Sequence, residues 1–225
     1  MTQAGKPFWR IAPPPASTPI HIAILVVVGI WLNAILLPPS ATAVNEKLSD
    51  HYDSTPGTTV VRQLIACTRK LRTTEDPASR NKLIFLINRS LALDSLSQQA
   101  LGAEWGKLDS AERDQFLHLI RELLEKLAYP KASEFFADLD VQYGPQYGQD
   151  QAQGARQIVP TTVKRSEGGA VSITYVLQRT HGQWQVADIN LDGQSLAQSV
   201  TGQIQAVLRQ GSYQSLIAQM KARLR

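Results

Sequence analysis

Val171-Ser172-Ile173-Thr174-Tyr175-Val176-Leu177-Gln178-Arg179 alternates apolar and polar side chains over most of its length. Successive side chains of a strand point to opposite faces, so a period of two predicts one buried face and one wet one. Val176 is the exception to the alternation. Short glycine-bearing connections flank the stretch, Ser166-Glu167-Gly168-Gly169-Ala170 before it and Thr180-His181-Gly182 after it. Beyond them, Ala155 to Lys164 and Gln183 to Leu191 also read as strands. Connections this short join antiparallel neighbours, so the three segments predict a meander. Val141 to Tyr143 is a candidate further strand, and Gly144-Pro145 and Gln149 to Gly154 read as loop.

Away from the sheet the apolar period changes to that of a helix. Asp76-Pro77 sets an N-cap before a proline at the first helical position, ahead of Leu83 to Ile87. Asp94 is a second cap candidate, and Gly102 is placed to end the helix that runs through Leu101. Asp109 and Glu112 have the spacing of a capping box, and Phe116, Ile120, Leu123, Leu124 and Leu127 follow as one stripe. Pro130 is expected to stop this helix after Ala128, with a shorter one over Lys131 to Leu139. Ser195 to Arg209 and Ser212 to Arg225 are helical again. Helices, a small sheet and more helices make one α+β domain.

The 225 residues are 43% hydrophobic and 19% charged, a globular composition with enough material for one core. The net charge of +4 includes Lys6 and Arg10 in an acid-free start. Ile22 to Leu37 is then almost wholly apolar, Pro38-Pro39-Ser40 breaks it, and Ala41-Thr42-Ala43 offers small residues for cleavage. This is the layout of a signal peptide over residues 1–43, leaving an exported domain of residues 44–225. The alternative is an inner-membrane anchor over residues 20–37. Its apolar run falls short of the roughly twenty residues a span needs. The remaining 21 basic and 19 acidic residues nearly balance, and the longest basic cluster, Arg69-Lys70-Leu71-Arg72, is followed by Glu75-Asp76. That argues against nucleic-acid binding.

Few residues offer chemistry. Cys67 is the single cysteine, so it has no partner within the chain, and it shares helical spacing with Val60, Leu64 and Leu71. His51, His118 and His181 have no second ligand at metal spacing. Asp192-Gly193-Gln194-Ser195-Leu196-Ala197 resembles a nucleophile elbow only superficially, and Ser195 reads as a helix N-cap. Asp188 is the one candidate general base, as in ketosteroid-isomerase-like proteins. That role requires it to face an enclosed cavity with a raised pKa.

Three stretches together resemble the MlaC family of periplasmic phospholipid carriers, over roughly Val60 to Leu224. They are Leu91-Ala92-Leu93-Asp94-Ser95-Leu96 with Ala100-Leu101-Gly102 and Trp105, then Asp109 to Leu127, then Trp184 to Leu196 with Gly211 and Leu216. Leu93 departs from the family's usual Phe, and Asn190-Leu191-Asp192 from its hydrophobic-acidic pair. Hopanoid-associated relatives share the pattern. The resemblance implies a small curved antiparallel sheet (NTF2-like) with helices over it, enclosing the acyl chains of one phospholipid. It also implies a non-enzymatic protein without metal or cofactor, the phospholipid being cargo. The implied partners are an inner-membrane ABC transporter with a ring-shaped lipid-binding subunit and an outer-membrane lipoprotein complex, together maintaining outer-membrane lipid asymmetry. Candidate walls of the lipid site are Leu101, Trp105, Phe116, Ile120, Leu124, Ile158, Val163, Ile173, Tyr175, Trp184 and Val186. The competing class is an envelope adaptor whose core is solid.

Overall fold

The structure, a computed structural model, describes residues 56–151, 154–164 and 169–225. The leader expected over residues 1–43, and the anchor alternative, lie outside them. Among the described residues no helix is long and apolar enough to cross a membrane.

Helix α1 (Pro56–Leu71) buries Val61, Leu64, Ile65, Thr68 and Leu71, the three-four spacing of an inward stripe. Its C-terminal carbonyl at Leu71 accepts from Arg80 Nη1 at 2.9 Å. Helix α2 (Pro77–Ser90) starts as expected, Asp76 accepting from the Ser79 N–H at 2.8 Å. Helix α3 (Leu93–Leu101) begins one residue before Asp94. Ala92 occupies the cap position and makes no side-chain bond, so Asp94 lies in the first turn, where its charge still suits the dipole. Gly102, at φ 55°, ends it, and a 3-10 stretch, Gly102–Lys107, follows. Helix α4 (Ser110–Leu123) has both halves of the capping box. The Glu112 N–H donates to Asp109 at 2.8 Å, and the Asp109 N–H to Glu112 at 3.1 Å.

Pro130 does not stop the chain's helical course. A π-helical turn, Leu124–Ala128, joins α4 directly to α5 (Tyr129–Phe136). The wider turn accommodates a proline whose ring would clash with the preceding turn of an α-helix. Arg69 of α1 then donates from Nε to the Phe136 carbonyl at 2.9 Å and from Nη2 to that of Leu139, capping α5.

The sheet contains β1 (Asp140–Tyr143), β2 (Tyr147–Gln151), β3 (Gly154–Lys164), β4 (Ala170–Thr180), β5 (Gln183–Leu191) and β6 (Gln194–Ser195), all pairs antiparallel. β3, β4 and β5 form the expected meander. β1 and β2 share the far edge of β3, β1 along residues 161–164 and β2 along residues 154–158. Gln149 to Gln151 of β2 fall in a stretch that reads as loop from sequence. β2 is a strand because its backbone pairs with β3. A Cβ at Gly148 would lie 2.8 Å from the Arg156 carbonyl oxygen, so glycine permits the approach. The hairpin turns have positive φ at both central residues, His181-Gly182 and Asp192-Gly193, the geometry that matches strand twist.

Helix α6 (Leu196–Gln210) is capped by Ser195, whose hydroxyl accepts from the Gln198 N–H at 3.0 Å. Helix α7 (Tyr213–Arg223) ends the described chain. The apolar interior has two centres. One joins the sheet with α1, Ile87 of α2, and Tyr129 and Phe136 of α5. The other joins α3, α4, α6 and α7 around Leu101, Phe116, Ile204 and Leu216.

Candidate functional site

The two apolar centres do not close on each other. The seam between them is a cavity of about 320 Å³. The sheet side contributes Ile173, Tyr175 and Val186, and α1 contributes Leu64 and Ile65. Opposite them stand Ala100 of α3, Phe116 and Ile120 of α4, and Val200, Ile204 and Val207 of α6. Leu124, Leu127, Ala128 and Tyr129 form the wall where the π turn passes.

Polar groups on this wall are few, and Thr68, Tyr129 and Asp188 spend their side chains on hydrogen bonds inside the protein. The Thr68 hydroxyl donates to the Leu64 carbonyl at 2.8 Å. The Tyr129 hydroxyl donates to Asn88 Oδ1, and Asn88 Nδ2 donates to Glu125 at 2.8 Å. Burial pushes the phenol pKa values of Tyr129 and Tyr175 upward, so both remain neutral. An apolar cavity of this kind excludes water and accepts hydrocarbon.

Asp188 has a different task from the base that the sequence suggested. Alternation from Val186 would carry Asp188 to the same face. The β4–β5 register shifts by one residue, so that Leu177 pairs with Val186, Val176 with Asp188, and Ala187 is left without a partner, and Asp188 still borders the cavity. The Asp188 carboxylate accepts three hydrogen bonds: from the Ser195 hydroxyl at 2.6 Å, the Ala197 N–H at 3.0 Å and the Ile189 N–H at 2.8 Å. It is an anchor for the start of α6. His118 lies 3.6 Å from Glu122 on the exposed side of α4. Cys67 is buried, and desolvation raises its thiol pKa, the state of an inert side chain. Among the described residues no group of three His, Cys, Asp or Glu could hold a metal ion.

Of the eleven candidate wall residues, Phe116, Ile120, Leu124, Ile173, Tyr175 and Val186 line the cavity. The other five do not. Leu101 follows the wall residue Ala100 but is turned about 100° around α3, into the second apolar centre. Trp105 sits in the 3-10 stretch, with the Arg113 guanidinium 5.2 Å from its ring centre. Ile158 pairs with Val176 and so lies on the opposite face from the Val159, Tyr175 row. Val163 is fully buried near the end of β3, away from the cavity. Trp184 is half-buried at the start of β5 and packs on the rim of the sheet-side centre.

Sequence reasoning missed Leu64, Tyr129, Ala132, Phe136 and the α6 wall. The α1 and α6 stripes were visible as periodicity but were not assigned to a cavity. Tyr129 and Phe136 were hidden by the π turn, which shifts the phase of the helix.

No curated protein sequence matches the chain. A phospholipid-binding protein from Ralstonia solanacearum, solved in complex with a phospholipid, superposes with a TM-score of 0.60 at 21% identity, covering 76% of this chain and 97% of its own. That likeness establishes a common α+β fold. The family described as MlaC protein matches residues 58–222, most of the chain. On that match, this chain belongs to the MlaC family.

Proposed function

We propose that this protein is a phospholipid carrier of the bacterial periplasm, exported by its leader. It exchanges lipid with an inner-membrane ABC transporter and an outer-membrane lipoprotein complex, and so helps maintain outer-membrane lipid asymmetry. The observation that carries this reading is the apolar cavity on the seam between two packed centres. Family membership and the fold shared with a protein solved with phospholipid support it.

The energetics explain why a carrier is needed. A diacyl lipid hides on the order of thirty methylenes from water, and at about 0.8 kcal/mol each an unassisted crossing costs on the order of 25 kcal/mol. A dry protein wall removes most of that cost. At about 320 Å³ the cavity is small for two acyl chains, which call for roughly 1,000 Å³. Uptake therefore widens the seam, where side chains meet across a gap, in preference to either packed centre.

Native mass spectrometry of protein purified without detergent tests the proposal. A membrane-lipid mass on the folded protein, also acquired from liposomes, is the expected result. A protein that stays empty in both settings is an adaptor, and the proposal fails.

A further inference from the structure

We infer that Ser97 is a polar subsite inside the cavity, donating its hydroxyl to an ester carbonyl of the bound lipid. Ser97 lies on α3 and lines the cavity together with its helix neighbours Leu93 and Ala100, which are apolar. The residue is 3% exposed. Its Oγ has no hydrogen-bond partner.

That hydroxyl has an ordinary way out which it does not take. Helical serines and threonines commonly donate to the carbonyl four residues back. Thr68 does so to Leu64 at 2.8 Å, Ser90 to Leu86 at 2.9 Å and Ser199 to Ser195 at 2.8 Å. Ser97 has the Leu93 carbonyl at the same spacing and leaves its hydroxyl unpaired in an apolar wall. A buried hydroxyl without a partner destabilises the protein, so the position calls for an acceptor from outside the chain. The guest must be apolar enough for the rest of the wall and carry a neutral oxygen acceptor within it. An acyl ester has both. An ionised head group does not fit, because no cationic side chain lines the cavity.

This inference rests on the carrier reading and deepens it, from lipid binding to discrimination by linkage chemistry. The test offers the full chain, purified without detergent, two kinds of vesicle. One is dipalmitoyl phosphatidylglycerol, with two ester carbonyls, and the other is its dihexadecyl diether analogue, with none. Lipid acquired by the protein is weighed by native mass spectrometry. The wild type is expected to load the diester about three- to tenfold better, the range of one neutral hydrogen bond. Ser97→Ala should load both alike, and without lipid it should melt at the same temperature as the wild type or higher. Equal loading by the wild type overturns the inference and leaves the carrier intact, as does a preference that survives in Ser97→Ala. A lower melting temperature for lipid-free Ser97→Ala also overturns it, since the hydroxyl would then serve the fold. If the wild type loads neither lipid, the carrier proposal itself falls, and this inference with it.

Discussion

The carboxylate of Asp188 and the hydroxyl of Ser195 meet at 2.6 Å, and the same carboxylate accepts from the Ala197 N–H at 3.0 Å. Together they fasten the last long strand to the first turn of α6. Asp188→Ala should therefore destabilise the protein by about 1–3 kcal/mol in urea unfolding, the range for a lost helix cap and an unpaired donor. Asp188→Asn, which keeps an acceptor, should cost less. Neither should impair lipid uptake in proportion. A variant with full stability and no uptake would show that the carboxylate serves the guest.

Filling the cavity separates wall from core. Ala132 lines the cavity on α5. Ala132→Phe places a ring in existing space, so its stability cost should stay at or below about 1 kcal/mol. Lipid loading should fall by about tenfold or more, equivalent to about 1.4 kcal/mol of binding. Trp184→Ala, at the rim of the sheet-side centre and off the cavity wall, should leave loading unchanged. Loading assays beside thermal melts check both.

The hydroxyl of Tyr213 donates to the Glu112 carbonyl at 2.6 Å and joins α7 to the start of α4. Burial, then the nearby charges of Glu112 and Asp109, push its pKa up to about 12. The ordinary phenol value is about 10. The folded state thus holds this proton more tightly than the unfolded chain. The contribution to stability is complete below pH 10 and is lost as pH rises through 12. Tyr213→Phe should lower stability at pH 8 by about 1 kcal/mol and flatten part of the decline between pH 10 and pH 12. Urea midpoints across that range are the measurement.

Asn88, Tyr129 and Glu125 form a polar clamp joining α2 to the helical wall of the cavity. Asn88→Ala leaves a buried phenol without its acceptor and should cost about 1–3 kcal/mol, more than Tyr129→Phe. The double variant should cost less than the two single costs together, with a coupling of at least about 0.5 kcal/mol in a double-mutant cycle. Strict additivity would mean that the hydrogen bond is weak in solution.

The parts of the fold written in short-range patterns were legible in the sequence. The alternation of Val171 to Arg179, the Asp109–Glu112 capping box and Ser195 as an N-cap all reappear in the structure. Features set by backbone pairing or phase were not legible. β2 carries Gly148 and little strand propensity, and it is held by β3 alone. The unpaired Ala187 moves Asp188 out of step, which no local pattern announces. The candidate wall divided for the same reason. Periodicity identifies apolar faces, but only the meeting of distant faces decides which of them border a gap. Phe116, Ile120 and Leu124 border it, while Leu101 and Val163 fill the centres on either side.

The π turn at Leu124–Ala128 has one more consequence. Phe116, Ile120, Leu123 and Leu127 advance by threes and fours, and the same step continued would arrive at Lys131 and then Glu134. One surplus residue in the turn slips the phase, and Ala128, Ala132 and Phe136 inherit the inner row. Glu134 is left exposed and Lys131 partly so. Segment length thus keeps ionic groups off the oily wall. Deleting one residue from 124 to 128 would let a regular α-helix carry the same inner row, whereas forcing the turn into α-helix at its full length would swing both charges inward.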